Sequence, residues 1–159
     1  MLQETSRNGA VTETVMSDAA HLPPRPDAAS ALASARRIVV KIGSSLLIDP
    51  ATRRVTGDWL AALAAELAAL RQNGREVIVV SSGSIALGRG ALGRSGGCDI
   101  GARLEDKQAA AAVGQSLLMA AWQAAFQPHD LIVGQVLLTR DDTERRRRWL
   151  NGRATVEAL

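Results

Sequence analysis

The sequence predicts an α/β protein built on a mainly parallel sheet. Two observations carry that prediction. Short apolar runs rich in β-branched residues recur as "RIVVKIG", "EVIVVS" and "LIVGQVLL", and segments with helical periodicity separate them. Strands alternating with helices of this kind imply right-handed crossovers and parallel pairing.

The elements follow in order. Residues 1–36 are rich in Ala, Ser, Thr, Asp and Pro, with "HLPPRPD" in the middle, and show no periodic apolar face. That composition predicts a disordered leader, and Met16 is an alternative start within it. Asp18, Asp27, Glu4 and Glu13 argue against a transit peptide. From Arg37 onward, "RIVVKIG" suits a buried parallel strand. In "GDWLAALAAELAALRQNG", Leu60, Leu63, Leu67 and Leu70 fall at 3-4-3 spacing. Asp58 stands near the start of this helix and Gly74 just past its end.

"EVIVVS" is the second buried strand, and a helix starts near Ser84. The Ala-rich segment Leu104 to Phe126, closed by Pro128, carries two apolar stripes: Val113-Leu117-Ala120-Ala124 and Leu118-Trp122-Ala125. Being apolar almost all round, it is expected to be buried. "LIVGQVLL" (131 to 138) is the expected third strand. "DDTERRRRWLNGRATVEAL" then opens as a capped helix with acids in its first turn.

Composition excludes several functions. At 159 residues the chain is one domain at most, and its 47% apolar content suffices for a core. Aromatics make up 3% and Tyr is absent, which disfavours a base-stacking platform for nucleic acid. The net charge of +3 suits anionic ligands without specifying one. Cys98 is the single cysteine, and His21 and His129 lack ligand spacing, so neither a disulfide framework nor a zinc site is expected. No apolar run approaches the ~20 residues of a membrane span, and no secretory pattern opens the chain. The cytosol is the expected compartment.

The stretch "SSGSIALGRGALG" (81 to 93) contains two nucleotide-binding patterns, and both fail. Gly88 to Gly93 spells G-x-G-x-x-G, but a dinucleotide fingerprint needs its glycines between strand and helix. Here they fall inside the helix, and no acid ends a second strand about 20 residues on. Gly83 to Gly90 approaches a P-loop, with Arg89-Gly90 standing where Lys-Ser/Thr should be.

The turn itself remains. Ser82, Gly83 and Ser84 end a strand and begin a helix, where N–H groups and hydroxyls make an anion site or simply a cap. A second turn strengthens the functional reading. Lys41 lies inside an apolar strand directly before Gly43-Ser44-Ser45. A buried lysine is costly without an anionic partner, although on an edge strand it would simply be solvated. A fixed positive charge beside a donor-rich loop suits nucleotide phosphates. Two such turns at the C-terminal ends of parallel strands would share the rim where open α/β sheets bind ligands.

"VVKIGSSLL", "VIVVSSGSIALGRGALG", "KQAAAAVGQSLLMAAWQ" and "VGQVLLTRDDTERRRRWLNGRATVEAL", in that order, resemble the N-terminal part of the amino acid kinase family, in its glutamate-phosphorylating branch. The resemblance runs from about Arg37 to Leu159 with the spacings intact. It implies a three-layer αβα fold cut after about three strands. The activity it implies is ATP-dependent phosphorylation of the side-chain carboxylate of L-glutamate, the first step of proline synthesis. Lys41 matches the family lysine that neutralises phosphate charge, and Gly43 and Ser44 match the loop over the ATP phosphates. Ser82, Gly83 and Ser84 match the turn that holds glutamate. Magnesium would bridge the nucleotide phosphates, with no metal ligand supplied by this part.

The resemblance further implies a homo-oligomer in the complete enzyme, with no membrane or nucleic acid partner. "WLNGR", with Trp149 and Gly152, departs from the family's usual pattern of Phe or Tyr before Leu-Asn and Ala between Asn and Arg. The family continues well beyond the point matching Leu159, so a truncated or split kinase with little activity alone is expected. The alternative is an inactive chain that serves only for binding or assembly.

"RRRRW" (Arg145 to Trp149) raises a nucleic-acid reading. Four successive helical residues fan around most of the circumference, so no single basic stripe results. Glu144 and Arg148 stand at i, i+4 and are expected to pair, leaving a solvated helix.

Overall fold

The computed structural model describes residues 27–94 and 103–159. The leader up to residue 26, with Met16 and His21, lies outside the described residues, as does Cys98. The chain divides into two compact units, residues 1–33 and 34–159.

The described part of the first unit is residues 27–33, nearly all of it in helix α1, Ala28–Ser34, inside the stretch expected to be disordered. Its order has a local cause. The Asp27 carboxylate accepts hydrogen bonds from the Ser30 N–H at 2.9 Å and the Ser30 hydroxyl at 2.6 Å, capping a run dominated by Ala.

In the second unit, β1 (Arg37–Ile42) and β2 (Glu76–Ser81) pair in parallel, with Lys41 opposite Val80 and Ile42 opposite Ser81. The expected α/β class with a parallel sheet is borne out. Between the strands run the one-turn helix α2 (Ser44–Leu47) and the long helix α3 (Gly57–Gln72). α3 buries Leu60 and Leu67 together with Ala64 and Ala68, while Leu63 and Leu70 pack at the margin, as the 3-4-3 spacing predicts.

α4 (Ser84–Arg94) and α5 (Leu104–Phe126) follow, pressed closely together. A Cβ on Gly88 would lie 1.8 Å from the Ala110 carbonyl oxygen, and one on Gly114 would lie 1.7 Å from that of Ser84. Only glycine lets the two backbones meet so closely. The glycines of "GRGALG" therefore lie within a helix, and Gly88 serves packing.

One face of the strand pair is packed and the other is open. Ile38 and Ile42 are buried, Ile42 among Leu47, Leu60, Leu67, Leu87, Leu118 and Trp122, whereas Val39 and Val80 on the opposite face are exposed. Strand residues alternate between faces, which puts Lys41 on the open side with Val39.

Several expectations are corrected. Residues 131–138 form no ladder, so two strands are present among the described residues instead of three. Leu131 and Val133 pack on the core while Ile132 is fully exposed, which is the alternation of a strand without its partner. A strand is completed by a second backbone, and propensity cannot supply one.

On α5 the buried stripe is Ala110, Gly114, Leu118, Trp122 and Phe126. The other predicted stripe, with Val113 and Leu117, faces outward because α3 and α4 meet α5 on one side. The expectation of no span-length apolar run also yields: Leu104–His129 is long and apolar enough to cross a membrane, with a mean hydropathy of 1.2. The stripe it buries against α3 and α4 is nonetheless that of a core helix.

The last predicted helix is two helices, α6 (Arg140–Glu144) and α7 (Arg146–Ala158), broken at Arg145. The predicted cap is present: Thr139 and Asp142 form a reciprocal capping box, with Asp141 and Asp142 in the first turn. Glu144 pairs with Arg140 at 2.6 Å instead of Arg148. Arg145 and Arg148 both reach Asp141, at 2.7 Å each. In an unbroken helix Asp141 and Arg148 would stand about 10 Å apart along the axis, so the break is what lets them meet.

Candidate active site

The two turns singled out in the sequence lie side by side at the C-terminal ends of β1 and β2. Their proximity follows from the register, because Ile42 opposite Ser81 brings Gly43 and Ser82 to the same rim. The Ser82 N–H and the Ser82 hydroxyl both donate to the Ile42 carbonyl, at 3.2 Å each, and so tie the end of one strand to the end of the other.

After β1, Gly43 is extended and α2 begins at Ser44. The chain then turns back through Asp49, whose carboxylate accepts the N–H groups of Ala51 at 2.8 Å and Thr52 at 2.7 Å. The Thr52 N–H is the leading cause that holds the Asp49 carboxyl below its ordinary value. An isolated bridge between Ile48 and Val55 closes this excursion and seats Ile48 in the core.

Ile48 meets the second turn. Gly83 has φ of +122°, in the region that favours glycine, and a Cβ there would lie 2.6 Å from Ile48 Cδ1 and 3.6 Å from Ser44 Cβ. Gly83 thus allows both the turn conformation and the close approach of the two loops. α4 starts with Ser84, so Ser84 is its first residue and not its cap. The bond from the Leu87 N–H to the Gly83 carbonyl, 3.0 Å, opens the helical ladder. The N–H groups of Ser84, Ile85 and Ala86 precede it and form the positive end of the helix dipole.

Lys41 is exposed, so of the two alternatives, a buried lysine with an anionic partner or a solvated one on an edge strand, the second holds. Among the described residues Lys41 has no ion-pair partner. Its Nζ comes within 4.0 Å of where a Gly43 Cβ would stand, so the amine reaches along the strand to the rim.

All six predicted positions are therefore gathered: Lys41, Gly43 and Ser44 on one loop, and Ser82, Gly83 and Ser84 on the other. Two residues that sequence reasoning did not assign to the site support it. Ile48 packs beneath Gly83, and Trp122 donates its indole N–H to the Ser81 hydroxyl at 3.3 Å. Trp122 shows in the sequence only as part of an apolar stripe, and that pattern says nothing of its polar edge.

The rim is an open surface. Two concavities of about 340 and 550 Å3 lie elsewhere, one lined by Trp149 and Arg153 and the other by Gln127 and Ile132. Neither includes Lys41 or the two turns. The rim is the better candidate on chemical grounds, since it joins a cation, two donor-bearing turns and a helix N-terminus at the strand ends. Among the described residues no group of three or more His, Cys, Asp or Glu side chains could hold a metal ion.

Open α/β sheets bind ligands at the C-terminal rim, where this chain carries its donor-rich turns, and residues 36–159 match the amino acid kinase family. The chain belongs to that family. It is 57% identical to the glutamate 5-kinase of Caulobacter vibrioides (strain NA1000 / CB15N) over 81% of this chain and 33% of that protein. It is 55% identical to the glutamate 5-kinase of Paramagnetospirillum magneticum over 82% of this chain and 34% of that protein. With the glutamate 5-kinase of Gluconobacter oxydans the identity is 52%, over 84% and 35%. The chain thus spans about a third of the length of the curated relatives it matches.

Proposed function

We propose that this chain forms the N-terminal part of a glutamate 5-kinase. In this reading Lys41, Gly43 and Ser44 hold the ATP phosphates, and Ser82, Gly83 and Ser84 hold L-glutamate. The observation that carries it is the junction of the two turns: Ser82 clamped to Ile42, and Gly83 seated on Ile48 beside Ser44. Two anions placed on those two loops would lie next to each other, which is what transfer between them requires.

The residues suit the chemistry. A glutamate side-chain carboxylate, with a pKa near ~4.3, is already ionised at neutral pH, so the reaction needs no general base. A carboxylate oxygen forms a bond to the γ-phosphorus of ATP while the bridging P–O bond breaks, and ADP leaves with the electron pair. Catalysis then rests on alignment and on neutralising charge at the transferring phosphoryl group. Lys41 supplies a positive charge at the rim, and the first-turn N–H groups of α4 supply donors. Magnesium would enter with the nucleotide, held by its phosphates. The product is an acyl phosphate, the first intermediate of proline synthesis. The names of the relatives support the assignment, and a cytosolic homo-oligomer is part of the same reading.

The test uses the chain completed with the remaining two-thirds of the Caulobacter relative. The completed enzyme should convert ATP and L-glutamate to an acyl phosphate that hydroxylamine traps as the hydroxamate. The 159-residue chain alone should yield little. A completed enzyme that folds and forms no glutamate-dependent hydroxamate defeats the proposal. The second reading, a binding or assembly module, is favoured by the exposed Val39, Val80 and Ile132. Self-association of the 159-residue chain in sedimentation would support it.

A further inference from the structure

We infer that Ser81 and Trp122 are positioning residues for the substrate turn, an inference that rests on the assignment of glutamate to Ser82–Gly83–Ser84. The turn is held from beneath by one face of α5. Gly114 and Trp122 stand eight residues apart on that face, two turns of helix, with buried Leu118 between them. Gly114 lies directly against the Ser84 carbonyl, at the last residue of the turn. Trp122 reaches Ser81, before it.

The Ser81 hydroxyl is used in both directions. It accepts the Trp122 indole N–H at 3.3 Å and points toward the Ser82 carbonyl at 3.4 Å. Ser82 in turn gives its N–H and its hydroxyl to Ile42. The hydroxyl proton expected to serve the ligand is therefore engaged within the protein. The donors left to a carboxylate are the Ser84 hydroxyl and the backbone N–H groups at the start of α4, and the direction of the latter is set by the Ser82–Gly83 peptide. Trp122 is itself fixed, buried and stacked on Phe126 with ring centroids 5.8 Å apart and 18° between planes. A rigid indole thus anchors, through one serine, the peptide that aims the substrate donors.

The test is made in the completed enzyme. Ser81→Ala should raise the KM for glutamate about three- to tenfold, the scale of one hydrogen bond. The KM for ATP should stay within about twofold. Ser81→Thr keeps the hydroxyl and should restore the glutamate KM. Trp122→Phe should match Ser81→Ala, and the double variant should be no worse than either single one, because both break the same link. The Ser81 pair carries the test even if Trp122→Phe does not fold.

An unchanged glutamate KM in Ser81→Ala, or equal rises in both KM values with a lowered Tm, overturns the inference while leaving the substrate assignment standing. A parent enzyme without glutamate-dependent turnover overturns both.

Discussion

Gly83 sits against Ile48 so closely that a methyl group on Gly83 would lie 2.6 Å from Ile48 Cδ1. This contact joins the loop after β1 to the turn after β2, and so builds the rim from two separate stretches of chain. Gly83→Ala should therefore fail on two counts, the contact and the φ of +122°. The conformational part alone should cost about 1–3 kcal/mol. Ile48→Val removes the clashing Cδ1, so the double variant should recover the contact part and not the rest. Denaturant midpoints of the four chains measure this.

Lys41 stands exposed and without an ion-pair partner among the described residues. Lys41→Met should leave the stability of the chain within about 0.5 kcal/mol. In the completed enzyme it should lower kcat about 10²- to 10³-fold, the scale of losing one group that stabilises transition-state charge. Steady-state hydroxamate assays beside thermal melts separate the two effects.

The α4–α5 seam should be intolerant in a way that the outer face of α5 is not. In Gly114→Ala the new carbon meets backbone, 1.7 Å from the Ser84 oxygen and 2.6 Å from the Gly88 nitrogen, and neither can rotate away. The helices must part, at about 1–3 kcal/mol or more. Val113→Ala, one residue earlier on the exposed side, should change stability by about 0.5 kcal/mol or less. Urea titration of both variants checks the contrast.

Acid should weaken the chain at specific points. Glu76 is held below its ordinary 4.5, first by its hydrogen bond from Arg37. Asp49 and Asp142 are held below 3.8, first by the N–H of Thr52 and the hydroxyl of Thr139. A carboxyl whose folded pKa is depressed contributes stability that is fully present above its unfolded value and is lost as pH falls through the folded one. Stability should therefore hold level above about pH 4.5 and decline below it. Glu76→Gln should flatten the first part of that decline, as seen in urea midpoints from pH 6 down to about pH 3.

Much of this molecule was legible in the sequence because local rules governed it. The stripe of α3, the strands β1 and β2, and the Thr139 cap each follow from periodicity or from one side chain meeting a nearby backbone group. The candidate site was legible for the same reason: Gly-Ser turns at strand ends announce donors, and Lys41 announces charge. Where the reading failed, a distant partner decided. Residues 131–138 have the composition of a strand and, among the described residues, no backbone paired with them to complete it. Val113 and Leu117 fit a core stripe, yet no described element lies over them. Arg148 left the predicted Glu144 for Asp141 once the helix broke at Arg145.

By itself, then, the sequence determined which segments are strands or helices wherever periodicity and capping act within a few residues, and which residues carry charge and donors at the strand ends. Tertiary structure alone decided that Gly83 rests on Ile48, that Ser82 spends its hydroxyl on Ile42, and that Trp122 reaches Ser81. Those contacts span about 35 to 41 residues of chain. They form only when the parallel register and the glycine seam have brought the segments together, and no local pattern encodes that meeting.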